Sequence, residues 1–190
     1  MAVRIKSRWT EKSRAKLDED LVKENAQALA FIYWRVALDN AKNLHGEKYI
    51  YDNDEQRIKV IAEYLAMFLQ MSDRLAYNRM EDESRQAFIS ALAMRLSDHM
   101  QDNATDLFGD SDYRSSFIDM LNRRSAEYAE FEYSAEDGPS YSFMQCFGSK
   151  VQDVMGEGHH DNKWVIDQIM DIDGPEAIEK ASKALMQLFE

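Results

Sequence analysis

The residues best placed to do chemistry are polar side chains on otherwise apolar helical faces. Arg95 and His99 lie four residues apart and continue the line of Phe88 and Leu92 in a predicted helix. Histidine changes its charge near neutral pH, so an imidazole there can act as an acid, a base or a ligand contact. One interpretation of this pattern is a polar pocket for a small anionic or amphipathic molecule.

Two further charged residues belong to the same candidate site. Arg35 lies one helical turn before Asp39 on an otherwise apolar face, and Asp73 lies beside a buried stripe of the next predicted helix. Buried charge costs several kcal/mol unless it is paired. The favoured interpretation is therefore a set of structural ion pairs, such as Asp73 or Asp39 with Arg95, and the pocket is the alternative. The candidate ligand-binding set is Arg35, Asp73, Arg95 and His99.

The segment from Glu157 to Asp161 concentrates four side chains that can bind metals, His159 and His160 among them. Adjacent residues rarely converge on one ion, and Asp161 is well explained as a helix cap, so a structural linker is expected. Ferritin-type di-iron sites need Glu-x-x-His on each of two helices, and the single such spacing here lies on a glycine-broken loop. We expect no metal and no cofactor. Metal or haem binding through His99, or through His159 and His160, is a third interpretation.

Cys146 is the single cysteine and lies between Phe143 and Phe147 on a predicted helix. A catalytic thiolate needs a cationic, half-exposed setting, and only Lys150, one turn later, offers charge. A free cysteine among apolar residues more often fills the core. The chain also lacks the phosphate-binding, dinucleotide-binding and nucleophile-elbow motifs, so no catalytic residue is assigned.

The N-terminal sixteen residues form a basic arm with six basic residues against one acid, a net of +5. The chain as a whole has a net charge of −12, which leaves −17 on residues 17–190. An acidic body of that size repels phosphates, so nucleic-acid binding is not expected. The arm can dock on its own body, anchor a second subunit, bind an acidic partner or act in targeting, and the first two are favoured. Its candidate partner-binding residues are Arg4, Lys6, Arg8 and Trp9.

Composition predicts a single helical domain over residues 17–190. The 190 residues are 45% hydrophobic and 31% charged, and they include only two prolines and seven glycines. Few turn formers favour long helices over a β fold. One cysteine suits a reducing compartment, and neither a membrane span nor a signal peptide is expected, so the predicted location is the cytoplasm.

The segment Asp54–Met80 is apolar over most of a helix circumference, with its charges on a narrow strip. Such a helix is one that other helices surround, so it is predicted as the centre of an all-α bundle. The remaining predictions are an acidic loop at Ser134 to Pro139, a left-handed Gly46 ending the first helix, and a close backbone contact at Gly148. About seven helices are predicted, in chain order: about Ala15 to Leu44, Asp54–Met80, near Asp82 to near Asn103, one capped by Ser111 or Asp112, about Ser140 to Met155, one capped by Asp161, and one capped at Asp173-Gly174-Pro175.

These patterns lead to two functional hypotheses. The first is a non-enzymatic protein-interaction or self-assembling module, a homodimer in its simplest form, that uses aromatic and methionine surfaces and the basic arm. The second is a binding protein, with or without catalysis, that holds a small anionic or amphipathic ligand in an internal pocket. Whether Arg95 and His99 line a cavity or are consumed in ion pairs distinguishes the two.

Overall fold

Residues 60–72 are all buried in the computed structural model of the chain, which describes residues 19–77 and 79–188. They belong to α2 (Asp54–Ala76), and a helix buried around its whole circumference must have neighbours on every side. Those neighbours are α1 (Glu19–Gly46), α3 (Asp82–Phe108), α4 (Tyr113–Ala129), α5 (Tyr141–Met155) and a final helix, α6. The prediction of an all-α bundle around this central helix is confirmed.

The final helix, α6, consists of three consecutive segments within the described part of the chain. An α-helical segment, Val165–Gln168, leads through a π turn, Ile169–Asp173, into a second α-helical segment, Gly174–Met186. A 3-10 turn, His160–Trp164, precedes it. The described residues therefore form six helices, and the predicted count of seven is slightly too high because the sixth and seventh are continuous.

Two large apolar side chains of this region are exposed. Trp164 is 53% exposed and Ile172 is 49% exposed. A regular α-helical period does not describe this segment, because the chain passes through a tighter turn and then a wider one. These turns rotate both side chains toward solvent, while Val165 and Ile169 remain fully buried.

Helix ends follow side-chain caps where the sequence offers them. Asn53, Asp112 and Ser140 each accept a hydrogen bond from the backbone N–H three residues later, as expected for N-caps. At the end of α1, however, the left-handed residue is Lys48, with φ of 87°, and not Gly46. The helix extends two residues further than predicted because the Glu47 N–H still bonds to the carbonyl of Asn43.

Helix α3 is longer than predicted because Asn103 does not end it. The Asn103 side-chain amide donates to the carbonyl of His99 one turn earlier, so this residue is accommodated inside the helix. The helix stops at Gly109, whose φ of 86° is readily adopted only by glycine, and the Gly109 N–H closes the last turn on Thr105.

Two polar side chains buried along α2, Glu63 and Ser72, bond to other helices and to the backbone of α2 itself. The Glu63 carboxylate accepts two 2.7 Å hydrogen bonds from Arg124 of α4. Ser72 donates to the carbonyl of Phe68 and lies 2.7 Å from the hydroxyl of Tyr33 on α1. These contacts tie α2 to the helices on either side of it.

Two short strands link α4 to α5. They are β1 (Tyr133–Ser134) and β2 (Gly138–Pro139), paired antiparallel with Tyr133 opposite Pro139 and Ser134 opposite Gly138. Among the described residues, no helix is sufficiently long and apolar to cross a membrane.

Candidate functional site

Asp73 and Arg95 do not pair with each other. Arg85 donates to the Asp73 carboxylate across 2.6 Å, whereas Arg95 lies 3.7 Å from Asp98 on its own helix. Arg85 precedes Arg95 by ten residues, which is about 15 Å along α3. Within the described residues neither Asp73 nor Asp39 reaches Arg95, so the suggested pairing is wrong because both carboxylates face other groups or solvent.

His99 lies in a slot between α1 and α3. Its ring centroid is 5.9 Å from that of Trp34 and 6.5 Å from that of Phe31, and its Nε2 is buried without a hydrogen-bond partner among the described residues. Burial lowers the pKa of His99, and the nearby charge of Arg95 lowers it further. A neutral imidazole is therefore favoured. The structure brings Arg95 and His99 together, places Arg35 exposed on α1, and keeps Asp73 near the other end of α3.

The histidine-rich linker is held by hydrogen bonds. His159 Nε2 lies 2.8 Å from Asp52, and His160 Nδ1 lies 3.1 Å from its neighbour Asp161, so the two imidazoles meet different carboxylates. The buried Asn162 then bonds to both the N–H and the carbonyl of Ile50. Across residues 19–77 and 79–188, no three His, Cys, Asp or Glu side chains are grouped so that they could hold a metal ion.

Cys146 is half-buried against the core on α5. Burial raises the pKa of its thiol, and Lys150 only partly opposes that effect. A thiol with a raised pKa forms little of the reactive thiolate at neutral pH. The geometry gives this side chain a packing role.

A groove of about 510 Å³ runs between the β1–β2 hairpin and α6, and we call it the hairpin groove. Its floor is apolar and comes from four elements, namely the end of α2, β1, α5 and α6. The apolar side chains that line it include Leu75, Tyr133, Met144, Ile178 and Met186. Pro139 and Pro175 border it.

The hairpin is fixed to the bundle from both sides. Arg74 at the end of α2 donates to the carbonyls of Ala129 and Phe131, at 3.1 and 3.4 Å, where the chain leaves α4. The Tyr133 ring packs edge-on against Phe143 of α5 with centroids 5.8 Å apart. Because these contacts set the hairpin against folded helices, one wall of the groove has a defined position.

The rim of the hairpin groove is predominantly acidic. Glu136 and Asp137 at the hairpin tip and Glu179 on α6 are exposed carboxylates, and Arg79, which donates to the Leu75 carbonyl at 2.9 Å, is the basic residue of the lining. An apolar floor with carboxylates around it can accept an apolar side chain flanked by basic ones. The acidic loop at Ser134 to Pro139 is predictable from the sequence, but the groove is not, because α6 forms the opposite wall more than thirty residues later.

Comparisons with models of known protein families, with curated proteins and with solved structures found no match.

Proposed function

We propose that the chain is a non-enzymatic protein-interaction module whose hairpin groove binds a basic segment carrying an apolar anchor, supplied by a partner protein. The observation that carries this proposal is the presence, in one groove, of an apolar floor and an acidic rim. Apolar anchors supply most of the affinity of such contacts, and opposite charges mainly speed and orient the encounter.

The charge of the whole chain supports a basic partner. Residues 17–190 have a net charge of −17, so a positively charged segment is attracted before it reaches the groove. At the groove itself Glu136, Asp137 and Glu179 outnumber Arg79. A segment that places one large apolar side chain between lysines or arginines meets both requirements.

The basic arm of this chain has the same composition as the proposed ligand. Arg8 and Trp9 place a cation beside a large aromatic ring, although the arm lies outside the described residues. Helix α1 starts about 21 Å before Tyr33, which contacts Ser72 near the end of α2 that borders the groove. The preceding 18 residues can extend up to about 60 Å, so the arm can reach a groove of its own body or of a second copy.

A labelled peptide with the sequence of residues 1–16 provides the test. Binding is measured by fluorescence anisotropy against the full chain carrying Arg4→Ser, Lys6→Ser and Arg8→Ser, so that its own arm competes less. We expect saturable binding that weakens as salt rises, because the rim charges are exposed. Absence of saturable binding would refute the groove as a site for basic segments.

Charge reversal identifies the surface that binds. Glu136→Lys with Asp137→Lys should weaken peptide binding at least tenfold. Asp106→Lys with Asp110→Lys changes the net charge equally at the far end of α3 and should leave affinity within twofold. Equal losses in both pairs would mean that only the overall charge attracts the peptide, which contradicts the proposal.

The state of the unmodified chain distinguishes the occupants. If its own arm fills the groove, the wild-type chain binds the peptide far more weakly than the chain with the substituted arm and remains monomeric. If the arm of a second copy fills it, the wild-type chain sediments as a homodimer that the Glu136 and Asp137 reversals dissociate. A wild-type monomer that binds the peptide fully leaves the groove free for a partner protein, and we propose the cytoplasm as the place of that encounter.

A further inference from the structure

A second cavity lies apart from the hairpin groove, where the end of α1 meets the π turn of α6. Its volume is about 380 Å³, within the usual range for small-molecule sites. It is lined by side chains from the last turn of α1, by Glu47 just after that helix, and by Gln168, Ile172, Asp173 and Glu176 of α6. From its sequence context, Asp173 is predicted only to cap a helix.

Asp173 is the unusual residue of this lining because it is only 8% exposed. The Gln168 amide donates a 3.0 Å hydrogen bond to its Oδ1, whereas its Oδ2 has no hydrogen-bond partner among the described residues. Its side chain caps no backbone N–H of the following helical segment. Burial raises the pKa of Asp173, and the charges of Glu47 and Glu176 raise it further. The fold thus holds a carboxylate that is buried and only half satisfied.

The π turn keeps this carboxylate in place. The Gly174 N–H bonds to the carbonyl of Ile169 five residues earlier, which closes the wide turn directly after Asp173. Gly174 itself is packed so closely that an added Cβ would lie 2.5 Å from both that carbonyl oxygen and Met144 Cε. Single π turns inside α-helices are frequent at functional sites. The hydrogen bond and the close packing of Gly174 fix the backbone directly after Asp173.

The electrostatic field at the cavity favours cations. Three of the lining side chains are carboxylates, from Glu47, Asp173 and Glu176, and Lys42 is the basic residue among the lining that the structure describes. The carboxyl end of α1 adds the negative end of a helix dipole. Burial raises the pKa of the adjacent Tyr49, and the charges of Asp173 and three other acidic side chains raise it further.

We propose that this cavity binds an aliphatic diamine, with one ammonium group paired with the Asp173 carboxylate and the other held by Glu47 and Glu176. The net charge of the lining, three carboxylates against one ammonium, matches a divalent organic cation. The half-exposed Ile172 offers an apolar surface to the methylene chain. A metal ion fits less well because no group of three ligands with metal-binding geometry exists among the described residues.

Calorimetric titration of the full chain with 1,4-diaminobutane tests this site. We expect one saturable site in the wild type and at least a tenfold loss of affinity in Asp173→Asn, which keeps the shape of the side chain and removes its charge. Asp171→Asn is the matched control because Asp171 lies on the same π turn but is exposed and does not line the cavity. That variant should bind within twofold of the wild type.

Two further probes define the ligand class. Butylamine, with one ammonium group, should bind at least fivefold more weakly than the diamine. The amide of N-acetyl-lysine carries the same ammonium group on a peptide-like frame, and tighter binding of it than of the diamine would overturn the proposal in favour of a lysine side chain. Absence of saturable binding at millimolar diamine, or equal affinity in Asp173→Asn and the wild type, would overturn it outright. The Asp173→Asn variant should remain folded, because the substitution removes a charge that is costly to bury. Circular dichroism provides this check.

Discussion

Replacing Gly174 by alanine should destabilise the fold by about 2 kcal/mol. The new Cβ would lie 2.5 Å from the Ile169 carbonyl oxygen and from Met144 Cε, whereas real Cβ contacts almost never fall below 3.0 Å. The methionine end can swing away, but the carbonyl is fixed by its hydrogen bond from Gly174 itself. Overpacking of this kind costs about 1–3 kcal/mol, and alanine returns up to about 1 kcal/mol through its helix propensity.

Glycines elsewhere in the chain provide the comparison. At Gly46 an added Cβ meets no described atom within 4 Å, so Gly46→Ala should be neutral or stabilise by up to about 1 kcal/mol. Gly148→Ala should fall between the two, since its Cβ would lie 3.0 Å from Ile166 Cγ1 and 3.3 Å from the Ile166 carbonyl oxygen. The close backbone contact predicted at Gly148 is thereby confirmed.

Urea unfolding followed by circular dichroism at 222 nm measures these differences. With a denaturant slope of about 2 kcal/mol/M, Gly174→Ala should lower the urea midpoint by about 1 M. A midpoint for Gly174→Ala equal to that of Gly46→Ala would refute the reasoning, because it would show that the π turn relaxes at no cost. An unchanged slope is required for the comparison, since a changed slope signals a different unfolded or native state.

Three further predictions use the same unfolding assay. Arg124→Ala should lower the free energy of unfolding by about 3–5 kcal/mol, because it leaves Glu63, whose side chain is 4% exposed, as an unpaired buried charge. Arg95 is half-exposed, so Arg95→Ala should cost less than about 1 kcal/mol. Similar costs for the two variants would contradict the assigned burial. The pKa of His99 is lowered, so the stability that depends on its neutral form is complete above the usual pKa of 6.5 and is lost as pH falls. The His99→Gln variant should therefore lose less stability than the wild type between about pH 7.5 and 5. An equal loss in the two proteins would contradict this prediction. The pKa of Asp173 is raised, so its contribution to the stability of the fold is most favourable below the usual pKa of 3.8 and becomes less favourable as pH rises. Asp173→Asn should therefore stabilise the protein by about 1–2 kcal/mol at pH 7 and by much less near pH 4. An effect that does not change with pH would argue against the assigned burial.

The central helix and the helix caps could be predicted because their signals are local. The buried run 60–72 follows from an apolar surface that covers most of one helix, and the cap residues bond to N–H groups three positions away. The buried face of α1 has an equally local signal, because its residues recur at spacings of four and three. These residues have no exposed surface, and they are Ala26, Ala30, Tyr33, Ala37, Ala41 and Leu44.

The errors arose where partners come from distant parts of the chain. Asp73 lies near two arginines of α3 in sequence, and only the packing angle of the helices selects Arg85 over Arg95. The π turn has no simple sequence period, so Asp173 was interpreted as a cap when it is a buried carboxylate. The hairpin groove forms where α6 packs beside β1 and the end of α2, and no local sequence pattern predicts that packing.

The linker between α5 and α6 divides the molecule into two pieces that also contact each other through hydrogen bonds and helix packing. Gly156 to Gly158 is a surface turn, while the side chain of Asn162, four residues after it, bonds to the backbone of Ile50 and to the carbonyl of Met155. Beyond it, α6 packs against α1, α2 and α5. A chain cut at this turn would consist of a five-helix fragment and a separate last helix that carries one wall of both the hairpin groove and the Asp173 cavity. The two fragments, expressed apart, would regain both sites only on reassembly.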